Sequence, residues 1–308
     1  VSGLERTWQP TRPTPLGPTL AALRRGAHDP CFKREGTGTY WRGLLTPQGP
    51  AALRVSRSDG GGPVLAMAWG DGAAWALDAV PAMLGAFDDP AGFDVAGHPT
   101  LGPLARRHPH LPLTRTHQVL ESLVPTIIEQ KVTGAEAFGS WRTLVQRFGE
   151  PAPGPAGGHG LRVPPAPDVL AAIPSWEWLH LAIDPARSRA IVAAARVAPS
   201  LERLARGTSA DADRALRSLP GVGTWTSAEV RVRVFGDADA VSFGDYHVAR
   251  NVGWALTGAI VDDGELAVLL EPFRPHRGRV QRLVMLSGVA PPRRGPRMAV
   301  RTHLPRRA

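Results

Sequence analysis

The sequence predicts an α+β protein: a small N-terminal antiparallel β-sheet domain leading into a larger, mostly α-helical domain. Three observations carry this. Short apolar segments separated by Pro/Gly turns fill residues 39–77. From Asp88-Asp-Pro90 onward, apolar residues recur instead at helical spacing between Pro/Gly breaks. The chain has 308 residues, 43% of them hydrophobic, enough for more than one core.

In chain order, residues 1–30 repeat proline at positions 10, 13, 15 and 18, which predicts an extended arm with little core contribution. Residues 31–110 are expected to form the small sheet domain with covering helices. Thr39–Leu45 and Ala51–Ser56 read as paired strands across the turn Thr46-Pro-Gln-Gly-Pro50, and Val64–Trp69 and Ala73–Leu77 as a second pair flanking Gly70-Asp-Gly72. Residues 111–290 are expected to be the helical domain. Its strongest signal is Thr116–Phe148, where Leu120, Leu123, Val124, Ile127 and Ile128 mark one helix, and Ala135–Phe148 a second beyond a turn near Thr133-Gly134. Residues 151–167 are rich in Pro and Gly and read as a surface loop. Helices resume at Asp168–Ala172, Ser175–Ile183, Pro185–Ala198 and Ala210–Ser218, and residues 291–308 form a basic tail expected to be flexible.

The formal charge of +9 favours an anionic partner, nucleic acid or an acidic membrane surface. All but two of the 36 basic residues are arginine, the lysines being Lys33 and Lys131. A single cysteine, Cys31, excludes an internal disulfide framework and a four-cysteine iron–sulfur cluster. The N-terminus lacks a basic region followed by an apolar core, and no uninterrupted apolar run approaches 18 residues. The expectation is a cytoplasmic protein with no membrane partner.

The most informative string is Leu219-Pro-Gly-Val-Gly223, followed by Thr224-Trp225. A helical segment meets a glycine-containing turn, and a second helix begins at once. The glycines permit backbone conformations closed to other residues, and the new helix starts with unsatisfied, partly positive amides that a phosphate oxygen can satisfy. Thr226-Ser-Ala-Glu229 is a candidate capping box, with Thr224 the alternative start. Read alone, the turn equally joins two core helices. Further on, Val241-Ser-Phe-Gly-Asp-Tyr-His-Val-Ala-Arg250 places Asp245 at the start of another helix, where its simplest role is an N-cap.

Together these motifs resemble the helix-hairpin-helix (HhH-GPD) DNA glycosylases, at the level of helix order over roughly residues 115–290 and in specific motifs over 219–250. The resemblance implies that Leu219, Gly221, Gly223 and Thr224 contact the DNA backbone and that Asp245 is the catalytic carboxylate. Such a carboxylate stabilises the positive charge that builds on deoxyribose as an N-glycosidic bond breaks. Bifunctional relatives carry a Schiff-base lysine where this chain has Trp225. That substitution, with the small β domain, points to the monofunctional bacterial 3-methyladenine DNA glycosylase II branch and to hydrolytic removal of an alkylated purine, of 3-methyladenine or 7-methylguanine type, from damaged double-stranded DNA.

The resemblance further implies a base pocket containing Trp225 and Tyr246, since a flipped base must recover the stacking it leaves behind. Gln130 and Lys131 occupy the turn that enters the gap in the duplex; relatives of the alkylation branch place an apolar wedge there, and Lys131 is alternatively a phosphate contact. Glu229, one turn beyond Trp225, stands where some relatives have an aromatic residue. Trp176, Trp178 and Trp254 are expected in the core. Arg274, Arg277, Arg279 and Arg282 are candidate phosphate contacts, or solvated charges. No catalytic metal or other cofactor is expected; a structural monovalent cation at the hairpin carbonyls is the one ion the resemblance implies. The protein is expected to act as a nucleoid-associated monomer. Two alternatives stay open: a glycosylase for hypoxanthine, oxidised or bulky-adduct purines, and a noncatalytic helix-hairpin-helix DNA-binding protein.

Overall fold

A computed structural model describes residues 3–57 and 62–292. The first unit contains β1 (Leu4–Trp8), α1 (Leu16–Ala21), β2 (Phe32–Glu35), β3 (Thr39–Thr46), β4 (Gly49–Arg57), β5 (Val64–Trp69) and α2 (Ala73–Met83). The strands form one antiparallel sheet in the order β1-β5-β4-β3-β2. Alternation of period two sends Tyr40, Leu44, Leu53, Val55, Val64 and Ala66 to one face, where they pack with α1 and α2.

Three expectations change here. The first thirty residues are not a detached arm: β1 pairs with β5 as an edge strand, and Leu16, Leu20 and Leu23 are buried in the sheet core. Proline tolerates this because β1 ends before Pro10 and helix α1 opens just after Pro15. Ala73–Leu77 is the start of helix α2 rather than a strand. Ala73, Ala76, Leu77 and Val80 fall on the face turned to the sheet, so the period is helical. Residues 151–167 are not an unstructured loop either. They carry α6 and β7, described below, and lay Ala152, Ala156, Leu161 and Val163 against Ala52 and Trp69 on the sheet's second face. The approach is close: a Cβ on Gly43 would sit 1.9 Å from the Arg162 carbonyl oxygen.

The rest of the chain is helical: α3 (Leu101–Arg107), α4 (Val119–Ile128), α5 (Gly134–Phe148), a two-stranded ribbon of β6 (Glu150–Pro151) and β7 (Arg162–Val163) around α6 (Pro155–Gly158), α7 (Pro167–Ala172), α8 (Ser175–His180), α9 (Pro185–Arg196), α10 (Ala198–Leu204), α11 (Ser209–Arg217), α12 (Thr224–Val234), α13 (Tyr246–Thr257), α14 (Asp263–Leu270) and α15 (Arg277–Ser287). Helix α4 is the hub. Every residue in it except Glu121 is buried, so its packing is apolar all round, against α5, α9, α10 and α12. Its first two amides are capped from another helix, by the Glu202 carboxylate at 2.9 and 2.7 Å.

Leu101 and Leu104 of α3 pack with Val248, Val252 and Leu283, so residues expected in the sheet domain belong to the C-terminal helical cluster. The intervening Pro/Gly-rich segment is a connector, and Val95 is already buried in that cluster. Of the expected core tryptophans, Trp178 is buried and Trp176 is exposed. The basic tail lies, from residue 293 on, outside the described residues. No described helix is long and apolar enough to cross a membrane.

Candidate active site

Helix α11 ends at Arg217, and the turn closes through Leu219 N–H to Leu216 O and Val222 N–H to Leu219 O, both 3.1 Å. Gly221 has φ +84°, which favours glycine. Val222 is buried in the helical core and anchors the turn, while Gly221, Gly223 and Thr224 are exposed. Gly223 is the N-cap of α12, and no side chain caps it. A Cβ on Gly223 would meet nothing within 4 Å, so the surface beside the uncapped start of α12 is open.

This geometry replaces the expected capping box. Thr226 lies inside the first turn, buried, where its Oγ1 accepts from Gln130 Nε2 at 2.8 Å. The Glu229 carboxylate turns instead to Arg233 and the Ser242 hydroxyl.

Asp245 caps α13: Oδ1 accepts from the amides of His247 (2.7 Å) and Val248 (3.3 Å). Its second oxygen, Oδ2, accepts from Trp225 Nε1 at 3.1 Å. Capping and presentation are thus divided between the two oxygens, and the first turn of α12 is joined to the start of α13. The connecting loop is fixed on both sides. Gly244 N–H donates to Asp263 at 2.7 Å, and Ser242 N–H donates to Gln281 Oε1 on α15 at 2.9 Å. Both Asp245 and Trp225 are partly exposed. Tyr246 is 72% exposed; its ring meets His247 edge-on and lies under the Arg250 guanidinium at 5.3 Å, so its contacts are on its own helix.

Gln130 and Lys131 both lie in the turn between α4 and α5 and are used differently. Both contacts of Gln130 Nε2 go to the hairpin segment, to Gly221 O (2.9 Å) and Thr226 Oγ1 (2.8 Å). Its amide is spent inside the protein, which argues against Gln130 as a wedge. Lys131 stands exposed at the tip with φ +54°, a conformation uncommon for a residue with a side chain. Arg187 Nη1 holds the end of α4 by donating to Ile128 O at 2.7 Å.

Below Trp225, the same face of α12 carries Glu229 and Arg233 at four-residue steps. Arg233 donates to Glu229 (2.6 Å) and to Ala22 O (3.2 Å), and Arg25 pairs with Glu129 at 2.9 Å. Burial pushes the Glu229 carboxyl up, but Arg233 and the Ser242 hydroxyl outweigh it and hold the group below its ordinary value. Burial also lowers Arg25 by more than Glu129 restores. The Glu229–Arg233 spacing is visible in the sequence. The partnership with Arg25 and Glu129 is not, because those residues lie in distant segments.

Of the candidate phosphate contacts, Arg274 and Arg277 are paired with Asp239 and Glu271, and Arg279 with Asp88, so their charges are already neutralised within the fold. Arg282 is different: its Nε is buried without a partner. Among the described residues, no group of three or more His, Cys, Asp or Glu is placed to hold a metal. At the hairpin the donors are neutral carbonyls, a set suited to a weakly bound monovalent ion rather than a divalent one. Gly221 O is taken by Gln130, and Leu219 O has a second lone pair beyond its bond to Val222. A cleft of about 450 Å³ lined by Phe87, Arg115, His117 and Asp237 lies near the C-terminal end of α12, and none of the predicted site residues lines it.

No family model matches the sequence, and no curated protein does. Solved structures do match. A 3-methyladenine DNA glycosylase from Archaeoglobus fulgidus superposes with a TM-score of 0.76 at 17% identity, covering 92% of this chain and 98% of that one. MBOgg1 in complex with a low-affinity DNA ligand gives 0.70 at 16% identity over the same shares. The 8-oxoguanine glycosylase/lyase of Clostridium acetobutylicum, in complex with double-stranded DNA, gives 0.65 at 13% identity, covering 83% of this chain and 87% of that one. The sheet unit followed by the helical domain is therefore a fold shared with these DNA glycosylase structures.

Proposed function

We propose that this protein is a monofunctional DNA glycosylase that turns a damaged purine out of duplex DNA and hydrolyses its N-glycosidic bond, with an alkylated purine as substrate. The observation that carries the reading is the hydrogen bond from Trp225 Nε1 to Asp245 Oδ2 beside an uncapped, exposed helix start. One cluster combines an aromatic surface for a base, a carboxylate for the sugar and amides for a phosphate.

As the bond breaks, positive charge develops on deoxyribose. Asp245, fixed by two amides and an indole, stabilises that charge without reorganising and orients the attacking water. Trp225 stacks on the base and Tyr246 flanks it. The amides at Gly223 and Thr224, with Leu219 and Gly221 shaping the turn, grip the backbone. Lys131 enters the duplex or meets a phosphate, and Gln130 supports it from the hairpin. Because the lyase-lysine position is Trp225, the product is an abasic site rather than a cleaved strand. A monovalent cation held by the hairpin carbonyls, Leu219 O among them, would supply positive charge toward the same phosphate. The neighbours named for 3-methyladenine and 8-oxoguanine support damaged DNA as the class of substrate.

The test is a panel of duplexes, each carrying one lesion, assayed with and without hot-alkali cleavage. Scission only after alkali is expected. Asp245→Asn keeps a capping oxygen, so it is expected to fold and bind DNA normally while losing about a hundredfold or more in excision rate. Near-wild-type excision by that variant would remove Asp245 from the chemistry, and strand scission without alkali would refute the monofunctional assignment.

A further inference from the structure

Trp225 and Asp245 stand on helices that belong to different cores. Helix α12 buries Val230 and Val234 in the cluster around α4, whereas α13 buries Val248 and Val252 against Val280, Leu283 and Val284 of α15. The bond from Trp225 Nε1 to Asp245 Oδ2 therefore crosses from one core to the other, and its geometry depends on what joins them. The connector from α12 to α13 is laid along α15. Ala238 O accepts from the Arg279 amide at 2.9 Å, Asp239 accepts from the Arg277 amide at 3.2 Å and from its guanidinium at 2.6 Å, and a Cβ on Gly278 would stand 2.3 Å from Ala240 O. The α15 attachment nearest Asp245 is Gln281. Its Oε1 accepts from the Ser242 amide at 2.9 Å, and its Nε2 donates to the Ser242 hydroxyl at 3.0 Å.

Ser242, 2% exposed, passes this hold on in two directions. Its hydroxyl donates to Glu229 on α12, and its carbonyl accepts from the Asp245 amide at 3.2 Å. Gln281 thus spends both ends of its side-chain amide on a residue bonded to α12 and to Asp245. We infer that Gln281 is a positioning residue: by fixing Ser242 it sets where the Asp245 carboxylate stands against Trp225, and so how it meets the sugar. The catalytic half of this inference rests on the glycosylase reading above; the placement of Asp245 does not. Removing the side-chain amide leaves the buried Ser242 N–H without its acceptor and frees the connector to shift. A shift on the order of 1 Å in a catalytic group can cost about a hundredfold in rate. The remaining attachments, through Arg277, Arg279 and Asp263, limit the shift and make a smaller loss the expectation.

The test is Gln281→Met in the whole chain, read in two ways. In the free protein the indole N–H resonance of Trp225, identified by its loss in Trp225→Phe, is expected to move. Those of Trp141, bonded to Asp29, and Trp178, bonded to Ile173 O, are expected to stay in place, and they certify the fold. On DNA, single-turnover excision from the lesion duplex that the wild type processes fastest is expected to fall about tenfold, with affinity for a lesion-free duplex changed by less than about twofold. Gln281→Glu keeps an oxygen for the Ser242 amide and is expected to lie nearer the wild type in both readings. An unmoved Trp225 resonance in a folded methionine variant, undiminished excision, or a fall in excision matched by an equal loss of duplex affinity would overturn the positioning role. A wild-type protein that releases no base from any lesion duplex, while the Trp225 resonance of the variant moves as expected, would overturn the glycosylase reading and leave the placement of Asp245 by Gln281 standing.

Discussion

Glu229 shows how one buried carboxylate links the site to the stability of the fold. Its folded-state pKa is held below the ordinary 4.5, because Arg233 and Ser242 outweigh the burial that pushes it up. A depressed carboxylate contributes stability that is fully present above its unfolded value and is lost as pH falls through the folded one. The urea midpoint of the wild type should therefore decline as pH is lowered below about 4.5. In Glu229→Gln that portion of the decline should be missing, from a lower starting stability because Arg233 loses its partner. Identical pH slopes would show that Glu229 is not held ionised by this pair. Asp245, Trp225 and the hairpin glycines were legible in the sequence because their spacing lies within thirty residues. The division of Asp245 between capping and Trp225 was not, since it depends on the relative rotation of two helices.

Among the elements, the hairpin and the α4–α5 turn act as one piece through Gln130. Gln130→Ala removes two hydrogen bonds at a partly buried position and is expected to weaken duplex binding about tenfold with little change in melting temperature. Fluorescence anisotropy with a lesion-free duplex would measure it, and unchanged affinity would show that the brace is dispensable. Sequence periodicity located α4, α5, α9 and α11 well, because each has a long amphipathic or wholly apolar stretch. It failed at Ala73–Leu77, where alanines satisfy both a period of two and one of 3.6 and the preceding Gly-Asp-Gly resembled a hairpin. It failed again at 151–167, where prolines concealed Leu161 and Val163, residues the sheet needs to cover its second face.

For the whole molecule, the sheet unit is docked on the hub helix by charges as well as apolar contact. Arg42 on β3 reaches Glu121, the one α4 residue that keeps some exposure, its side chain being 17% accessible, and Gln118 Nε2 donates to Leu45 O at 2.6 Å. Arg42→Met leaves Glu121 largely buried and uncompensated, at a cost of about 3–5 kcal/mol in urea unfolding. A loss below about 1 kcal/mol would show that the two units dock without this pair. Such long-range partnerships were invisible in the sequence. Arg42 and Glu121 are both ordinary surface residue types, and only the folded chain brings them together.

The Gln130 contact has a further consequence at this scale. In the proposed complex the hairpin grips one phosphate and the tip at Lys131 reaches into the helix beside it. Since the two are fastened to each other before DNA arrives, the protein carries a built-in ruler: the interval between the phosphate it holds and the nucleotide it tests is set by protein geometry, and each step along the duplex presents one nucleotide for inspection.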